Sequence, residues 1–97
     1  MKYRISNQAK DDLHEIWLFT YQNWSVEHAD RYFNLIVDEI EFVSENFMAG
    51  KSVELTRKAY RVIKVKSHLI YYRKTEDAIV EIVRILHQRM DIKKYLD

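Results

Sequence analysis

The spacing of apolar residues predicts two helices in the first half of the chain. From Ala9 to Trp24, apolar and aromatic residues recur at intervals of three and four, which places them on one stripe of a helix. Ser6 precedes this stripe where an N-cap is expected, and Ser25 precedes a second helix in the same way. The second stripe consists of Ala29, Phe33, Ile36, Ile40 and Val43. Two such stripes predict an antiparallel helical hairpin.

The second half of the chain has the alternation and the β-branched residues that are typical of strands. Tyr60–Val65, residues 69–74 and residues 79–86 each predict one strand. The links between them are short and polar, which favours an antiparallel meander. Residues 46–58, which contain the only glycine, predict a loop.

The two ends of the chain complete the predicted order of elements. Residues 3–5 predict a short first strand, and residues 91–96 predict a final helical turn or an ordered tail. The expected fold class is therefore α+β with the order β-α-α-β-β-β. We expect a helical hairpin packed on a small antiparallel sheet, in one domain over residues 1–97.

Composition excludes several classes of protein. The 97 residues are 47% hydrophobic and 13% aromatic, which is ample for one core, and the absence of cysteine excludes disulfides. The four histidines fall in four predicted elements without a histidine neighbour at helical spacing, so we predict no metal site and no cofactor. No apolar run is long enough for a membrane span, and the first residues lack the apolar stretch of a secretory signal. We expect a cytoplasmic protein.

The net charge of +1 conceals a strong segregation of charge along the chain. Residues 1–50 carry four basic and nine acidic side chains, a net charge of −5. Residues 51–74 carry eight basic side chains and only one acidic side chain, a net charge of +7. Such a block is typical either of a surface for an acidic partner or of a solvated face that pairs with the acidic half of the same molecule.

Five short segments of this sequence resemble the ParE-like branch of the RelE/ParE toxin superfamily, and they occur in the family's order over essentially the whole chain. They are DLHEIW at residues 12–17, NW at 23–24, YR at 60–61, SHLIYYR at 67–73 and VRILHQRMD at 83–91. Three positions depart from the family's pattern. Asn7 and Phe47 stand where proline is common, and Gln88 stands where glycine commonly follows the histidine. The third departure bears on how the segment around Arg89 is oriented.

The resemblance implies the toxin of a type II toxin–antitoxin pair, neutralised by a ParD-like antitoxin in a heteromer. It also implies inhibition of DNA gyrase by binding rather than by catalysis. No helix-turn-helix is evident in this chain, so we expect sequence-specific DNA binding to belong to the antitoxin.

Four large apolar residues lie away from the core stripes of the predicted helices. Leu35 and Phe42 fall roughly 120–140° from the centre of the second stripe, and Leu18 and Phe19 are displaced by similar angles on the first helix. One interpretation is a groove for an amphipathic antitoxin helix. The alternative is that these residues cover the sheet or are scattered on the surface.

Basic residues in the predicted strands suggest further contacts. Arg61, Lys64 and Arg73 on neighbouring strands are candidates for binding an acidic segment of the antitoxin. Arg84 interrupts an apolar strand, where a guanidinium must be paired. It either contacts a target or an antitoxin carboxylate, or it forms a structural pair with an acidic residue of the helices.

The end of the chain is a candidate surface for the target. It combines basic and aromatic side chains, and together with Arg84 the candidates are His87, Arg89, Lys93, Lys94 and Tyr95. We do not predict catalytic residues for the binding toxin.

Two alternatives to a binding toxin stay open. An mRNA endonuclease of the RelE-like branch needs a base, an acid and cations, for which His87, Tyr95, Arg84 and Arg61 are the candidates, with His68 as a second histidine. The other alternative is a toxin that has lost its activity and only binds its antitoxin, which the Gln88 departure keeps open.

Overall fold

The structure is a computed structural model that describes residues 3–53 and 59–96. Its elements follow the predicted order, with two short additions. They are β1 Tyr3–Ile5, α1 Asn7–Asn23, α2 Val26–Glu45, a 3-10 turn Phe47–Ala49, β2 Lys51–Val53, β3 Tyr60–Val65, β4 His68–Lys74, β5 Val80–His87 and α3 Ile92–Tyr95. Among these helices, none is long and apolar enough to cross a membrane.

Both predicted N-caps are confirmed. The hydroxyl oxygen of Ser6 accepts a hydrogen bond from the backbone N–H of Ala9 at 3.0 Å, and Ser25 accepts one from His28 at 3.0 Å. Each serine satisfies a backbone donor that the first helical turn leaves without a partner. The hydroxyl of Ser6 also donates to the carbonyl of Val83 at 2.8 Å, so the start of α1 is tied directly to β5.

The sheet has five strands in the order β1-β5-β4-β3-β2. The antiparallel meander β3-β4-β5 is confirmed. The expectation of a wholly antiparallel sheet is wrong, because β1 pairs with β5 in parallel and makes the sheet mixed. The connection between these two strands contains the whole helical hairpin, and a connection of that length allows a parallel pair.

Residues 46–58 do not form a simple loop as expected. They contain the 3-10 turn and β2, while residues 54–58 lie outside the described residues. β2 is Lys-Ser-Val, with one β-branched residue and no aromatic residue, so its composition does not indicate a strand.

Gly50 links the 3-10 turn to the sheet through Tyr72 of β4. The N–H of Gly50 donates to the Tyr72 hydroxyl at 2.8 Å, and that hydroxyl donates to the carbonyl of Phe47 at 2.8 Å. A Cβ on Gly50 would overlap the Tyr72 hydroxyl and lie 2.8 Å from the carbonyl of Val62. Glycine is therefore required here for space, since its φ of −78° is open to any residue.

The two faces of the sheet are covered differently. On the helix-facing side, α1 and α2 bury a continuous core that includes Leu13, Ile36, Ile40, Tyr72 and Ile82. On the opposite side, a second and smaller cluster consists of Tyr60, Tyr71 and Leu86, covered by Leu96 from the end of the chain. The segment after β5 therefore returns across the face that the hairpin leaves open.

Candidate functional site: an apolar cleft at the tip of the hairpin

A cleft of about 750 Å³ opens between the tip of the helical hairpin and the end of the sheet where β3 turns into β4. Its volume lies in the range of typical ligand sites, and its lining is mainly apolar. The apolar and aromatic lining residues are Ile16, Phe19, Trp24, Tyr32, Leu35 and Met90. The polar and charged lining residues include Glu15, His28, Arg31, Lys66, His68 and His87.

Large apolar side chains around the cleft are open to solvent. Phe19 is 64% exposed, Trp24 is 70% exposed and Leu35 is 41% exposed. Full burial of a large apolar side chain contributes roughly 1.5–3 kcal/mol, and covering a partly exposed one contributes a corresponding fraction. Three of them at one cleft make this part of the described surface a candidate binding site.

The structure brings together two of the four predicted groove residues. Phe19 and Leu35 line the cleft, whereas Leu18 is half-buried and does not line it. Phe42 is 46% exposed but lies seven residues beyond Leu35 on α2, about 10 Å along the helix axis. Phe42 therefore extends the same flank of α2 outside the cleft.

Two histidines and a tyrosine form the polar wall of the cleft. His68 and His87 are cross-strand partners on β4 and β5, and their rings meet edge to face with centroids 5.3 Å apart. The Nδ1 atom of His68 lies 2.7 Å from the hydroxyl oxygen of Tyr32 on α2. This hydrogen bond joins the hairpin to the sheet beneath the cleft.

Burial and, to a smaller extent, the charge of the nearby His87 lower the pKa of His68 from 6.5 to about 4, while Asp12 opposes the shift. Burial also raises the pKa of the Tyr32 hydroxyl. His68 is therefore neutral at physiological pH, and its ring takes part in hydrogen bonds without a charge.

Arg84 is held by Asp12 of α1. The guanidinium makes a bidentate pair with the carboxylate, at 2.8 Å from Nε and 2.9 Å from the second nitrogen. The same carboxylate accepts the backbone N–H of Ile85 at 2.9 Å. These bonds raise the pKa of Arg84 above its ordinary value. The interpretation of Arg84 as a structural pair with a helical acidic residue is confirmed, and Tyr95 lies over its guanidinium at 5.3 Å.

The three basic strand residues do not form one patch. Arg61 points to the helix-facing side, where its guanidinium donates to the carbonyl of Gly50 at 2.6 Å. Lys64 lies on the other side of β3, because side chains alternate along a strand. Arg73 lies on that second side too, in an ion pair with Glu81 at 3.0 Å.

The four candidates for a nuclease do not come together at one place, although Arg84 and Tyr95 are in contact. His87 stands opposite His68, at the end of the sheet where Val65 pairs with His68. Arg61 lies four residues before Val65 on β3, about 13 Å away along the strand. Tyr95 is paired with Arg84 beside α1, while Arg89, Lys93 and Lys94 are exposed. Within residues 3–53 and 59–96, no three histidine or acidic side chains are grouped as metal ligands.

Sequence reasoning missed several residues of the cleft, namely Trp24, His28, Arg31, Tyr32 and Lys66. A signal was present in α2, where His28, Arg31 and Leu35 follow one another at intervals of three and four, which is a second stripe beside the core stripe. The contributions of Tyr32 and Lys66 depend on how the hairpin lies on the sheet, which periodicity does not describe.

The fold resembles that of a solved structure from a toxin–antitoxin system. The solved structure described as "Chromosomal ParDE TA system from P. aeruginosa" matches with a TM-score of 0.76, over 90% of this chain and 95% of that chain. At 20% sequence identity this likeness concerns the fold alone. It confirms the expected RelE/ParE-like α+β class.

Sequence comparison gives the family. Residues 3–92 match the family described as "ParE toxin of type II toxin-antitoxin system, parDE". Toxin ParE1 of Mycobacterium tuberculosis is 35% identical over 95 residues, covering 98% of this chain and 97% of that protein. Toxin ParE1 of Caulobacter vibrioides is 38% identical over 94 residues, covering 97% of this chain and 96% of that protein. The chain belongs to the ParE toxin family of type II toxin–antitoxin systems.

We expect removal of the Asp12 carboxylate to lower the stability of the protein strongly. Asp12→Ala leaves the guanidinium of Arg84 and the N–H of Ile85 without their partner, which should cost about 3 kcal/mol of unfolding free energy. Urea unfolding followed by circular dichroism measures it. The matched control is Asp11→Ala on the exposed side of α1, which should change the free energy by less than about 0.5 kcal/mol. Equal effects of the two variants would contradict this role of Asp12.

The lowered pKa of His68 predicts a dependence of stability on pH. Since the folded pKa of about 4 lies below the unfolded value of 6.5, the unfolded chain binds the proton more readily between these values. The contribution of His68 is complete above about pH 6.5 and is lost as the pH falls towards 4.

Between about pH 7 and pH 4.5, His68→Gln should therefore lose less stability than the unsubstituted protein, by on the order of 1 kcal/mol after allowance for solvent screening. Urea unfolding at several pH values measures the difference. His14→Gln, at an exposed position of α1, is the control and should follow the unsubstituted protein. A parallel pH dependence of His68→Gln would show that His68 does not cause the effect.

Proposed function

We propose that a ParD-like antitoxin neutralises this toxin by placing an amphipathic helix in the cleft, and that the free toxin inhibits DNA gyrase by binding to it. The observation that carries the first half is the solvent-open apolar cleft with Phe19, Trp24 and Leu35 at its border. A helix that covers these side chains gains several kcal/mol from apolar burial. The related P. aeruginosa structure is of a chromosomal ParDE system, which supports a partner of the same kind here.

Charges at the rim fit such a helix. Arg31 and Lys66 are exposed at the cleft and make no ion pair with any described residue. They are available for carboxylates on the polar side of a bound helix, where each exposed pair contributes modestly and mainly sets orientation. Lys64 is a further cation, on the face of the sheet opposite the helices. Arg61 and Arg73 already have partners within the chain, and they would have to leave or share them to bind the antitoxin.

Gyrase inhibition rests on membership of the ParE family, and the segment after β5 is the proposed surface for it. Arg89, Lys93 and Lys94 are exposed and close together in the chain, and Tyr95 presents part of its ring. Action by binding is supported by the state of the candidate nuclease groups. The guanidinium of Arg84 is paired with the carboxylate of Asp12. The guanidinium of Arg61 donates to the carbonyl of Gly50, and Arg61 lies far from His87. We place this action in the cytoplasm, where gyrase works.

The test uses purified chain, DNA gyrase, relaxed plasmid and ATP, with a parallel reaction that contains ribosomes and mRNA. We expect loss of supercoiling or accumulation of cleaved plasmid while the mRNA stays intact, and reversal when the ParD-like antitoxin is added. Cleaved mRNA with active gyrase would move the protein to the nuclease branch. No effect in either reaction, together with antitoxin binding, would indicate a toxin that has lost its activity.

Leu35 tests the cleft as the antitoxin site. Leu35→Asp places a charge among apolar contacts and should weaken antitoxin binding at least about a hundredfold, the effect of a central interface residue. Because Leu35 is 41% exposed in the free chain, folding should be retained. Isothermal titration measures the affinity, and circular dichroism checks the fold.

Met48→Asp is the matched control, because Met48 is 72% exposed on the 3-10 turn outside the cleft. It should bind the antitoxin as the unsubstituted chain does. Equal affinities of Leu35→Asp and the unsubstituted chain would place the antitoxin elsewhere.

A further inference from the structure

The fold turns the separation of charge along the chain into a separation between two sides of the molecule. The helices α1 and α2 carry two basic and nine acidic side chains, a net charge of −7. The face of the sheet that points away from these helices carries mainly cations, and we call it the basic sheet face. Its cations lie on four strands and on the segment that crosses this face after β5, and they are Arg4, Lys51, Lys64, Arg73, Lys93 and Lys94.

The alternation of side chains along the strands places the strand cations on this face. Val53 and Val62 pack against the second core cluster, and Lys51 and Lys64 each lie two residues away on the same side of β2 and β3. Lys51 pairs in register with Val62, so the Cα atoms of the two lysines are about 8 Å apart. Two exposed cations therefore stand side by side at one end of the face.

The acidic helices do not neutralise these cations. Lys51 and Lys64 are exposed and make no ion pair with a described residue. Arg73 pairs with Glu81 on the neighbouring strand, and Glu81 is shared with Arg4. The sequence left open whether the basic block pairs with the acidic half of the molecule, and at these positions it does not.

The centre of the basic sheet face is already filled by the chain itself. Tyr60 and Tyr71 are each 3% exposed in the cluster that Leu96 and Ile92 cover. An acidic peptide gains most of its affinity from apolar anchors in pockets, because an exposed ion pair contributes at most about 1 kcal/mol. A polyanion needs no such anchor, since each neutralised phosphate releases condensed counterions. The exposed groups on this face therefore favour a nucleic acid over a protein segment.

The shape of the face favours duplex DNA over a single strand. Bases of a single strand stack on exposed aromatic side chains, whereas the two tyrosines of this face are buried. Five strands span about 19 Å, which is wider than the major groove of about 12 Å, and the covering segment keeps the central strands away from base edges. The cations at the margins are left to contact phosphates.

We propose that the basic sheet face binds the phosphate backbone of duplex DNA without selecting a sequence. Lys51 and Lys64 contact the backbone from one margin, and Lys93 and Lys94 contact it from the segment that crosses the face. Arg4 and Arg73 contribute less because they share Glu81. The acidic helices repel a polyanion, so they orient the molecule with its sheet towards the DNA.

This binding goes beyond the proposed function and does not depend on it. The cleft lies on the helix-facing side, where Val65 and His68 are paired, and the antitoxin proposed for it does not need Lys51. The segment proposed for gyrase carries Lys93 and Lys94 across the basic sheet face. A toxin bound to gyrase through this segment would hold these cations close to the DNA on which gyrase acts.

Fluorescence anisotropy of a labelled duplex of about 20 base pairs tests the proposal with the purified chain alone. We expect a dissociation constant of about 10⁻⁵ M or tighter at about 50 mM salt. With four exposed lysines in contact, the logarithm of the affinity should fall with the logarithm of the salt concentration at a slope of about −3 to −4, which is about a hundredfold loss between 50 and 200 mM. Two duplexes of unrelated sequence should bind equally.

Substitutions test whether the basic sheet face is the site. Lys51→Gln with Lys64→Gln should weaken binding at least about tenfold at low salt and reduce the slope by about 2. Lys10→Gln is the matched control for Lys64→Gln, because each removes one exposed cation and Lys10 lies on α1. It should change the affinity less than about twofold. Circular dichroism checks that every variant is folded.

Four results would overturn the proposal. They are no binding of the duplex at low salt, a loss for Lys10→Gln as large as that for Lys64→Gln, tighter binding of the single strand, and a preference above about tenfold for one sequence. Polyglutamate is the competitor that stands for an acidic protein segment, and displacement by less of it than of unlabelled duplex, at equal charge, would also overturn it. Each of these results leaves antitoxin binding and gyrase inhibition to their own measurements, so the two proposals fail separately.

Discussion

The structure depends on how the outer edge of β5 is closed. β1 pairs only with residues 80–82 of β5, so the following backbone groups face α1 instead of a strand. The N–H of Ser6 donates to the carbonyl of Ile82, and its hydroxyl donates to the carbonyl of Val83. The carboxylate of Asp12 accepts a hydrogen bond from the N–H of Ile85. The first turns of α1 thus replace a missing strand. This satisfies backbone groups that would otherwise be costly to bury, and it fixes the hairpin over the sheet.

The cleft follows from the lengths of the elements that are anchored in this way. α2 has 20 residues and is about 30 Å long, whereas β3 has six residues and is about 20 Å long. A hairpin fixed at the start of α1 extends past the end of the sheet, so its tip has no strand beneath it. The aromatic side chains near the tip, Phe19 and Trp24, remain exposed for this reason. The hydrogen bond between Tyr32 and His68 joins the hairpin to the sheet at the border of this gap.

Local patterns in the sequence predicted most of the fold, because caps, stripes and alternation depend on neighbours along the chain. They also predicted that Arg84, in an apolar strand, needs a partner. They did not identify that partner, since Asp11, Asp12 and Glu15 are all on α1 and only the packing angle selects Asp12. Three features depend on contacts between distant parts of the chain. They are the parallel pairing of β1, the short β2 and the polar wall of the cleft. Phe19 and Leu35 were found from helical angles, whereas His68 and His87 were named as candidates for catalysis or target contact and not as part of the cleft.

His87 connects the two proposed surfaces of the toxin. Its ring is part of the cleft, and its Nδ1 receives the N–H of Arg89, which begins the proposed gyrase-binding segment. A ring with one free Nε2–H can serve one partner at a time. An antitoxin in the cleft would contact His87 and Met90, which lie next to Arg89 in the segment proposed for the target. If both proposed surfaces are used, neutralisation would need no change of conformation in the toxin, because the two partners would compete for adjoining positions at the end of β5.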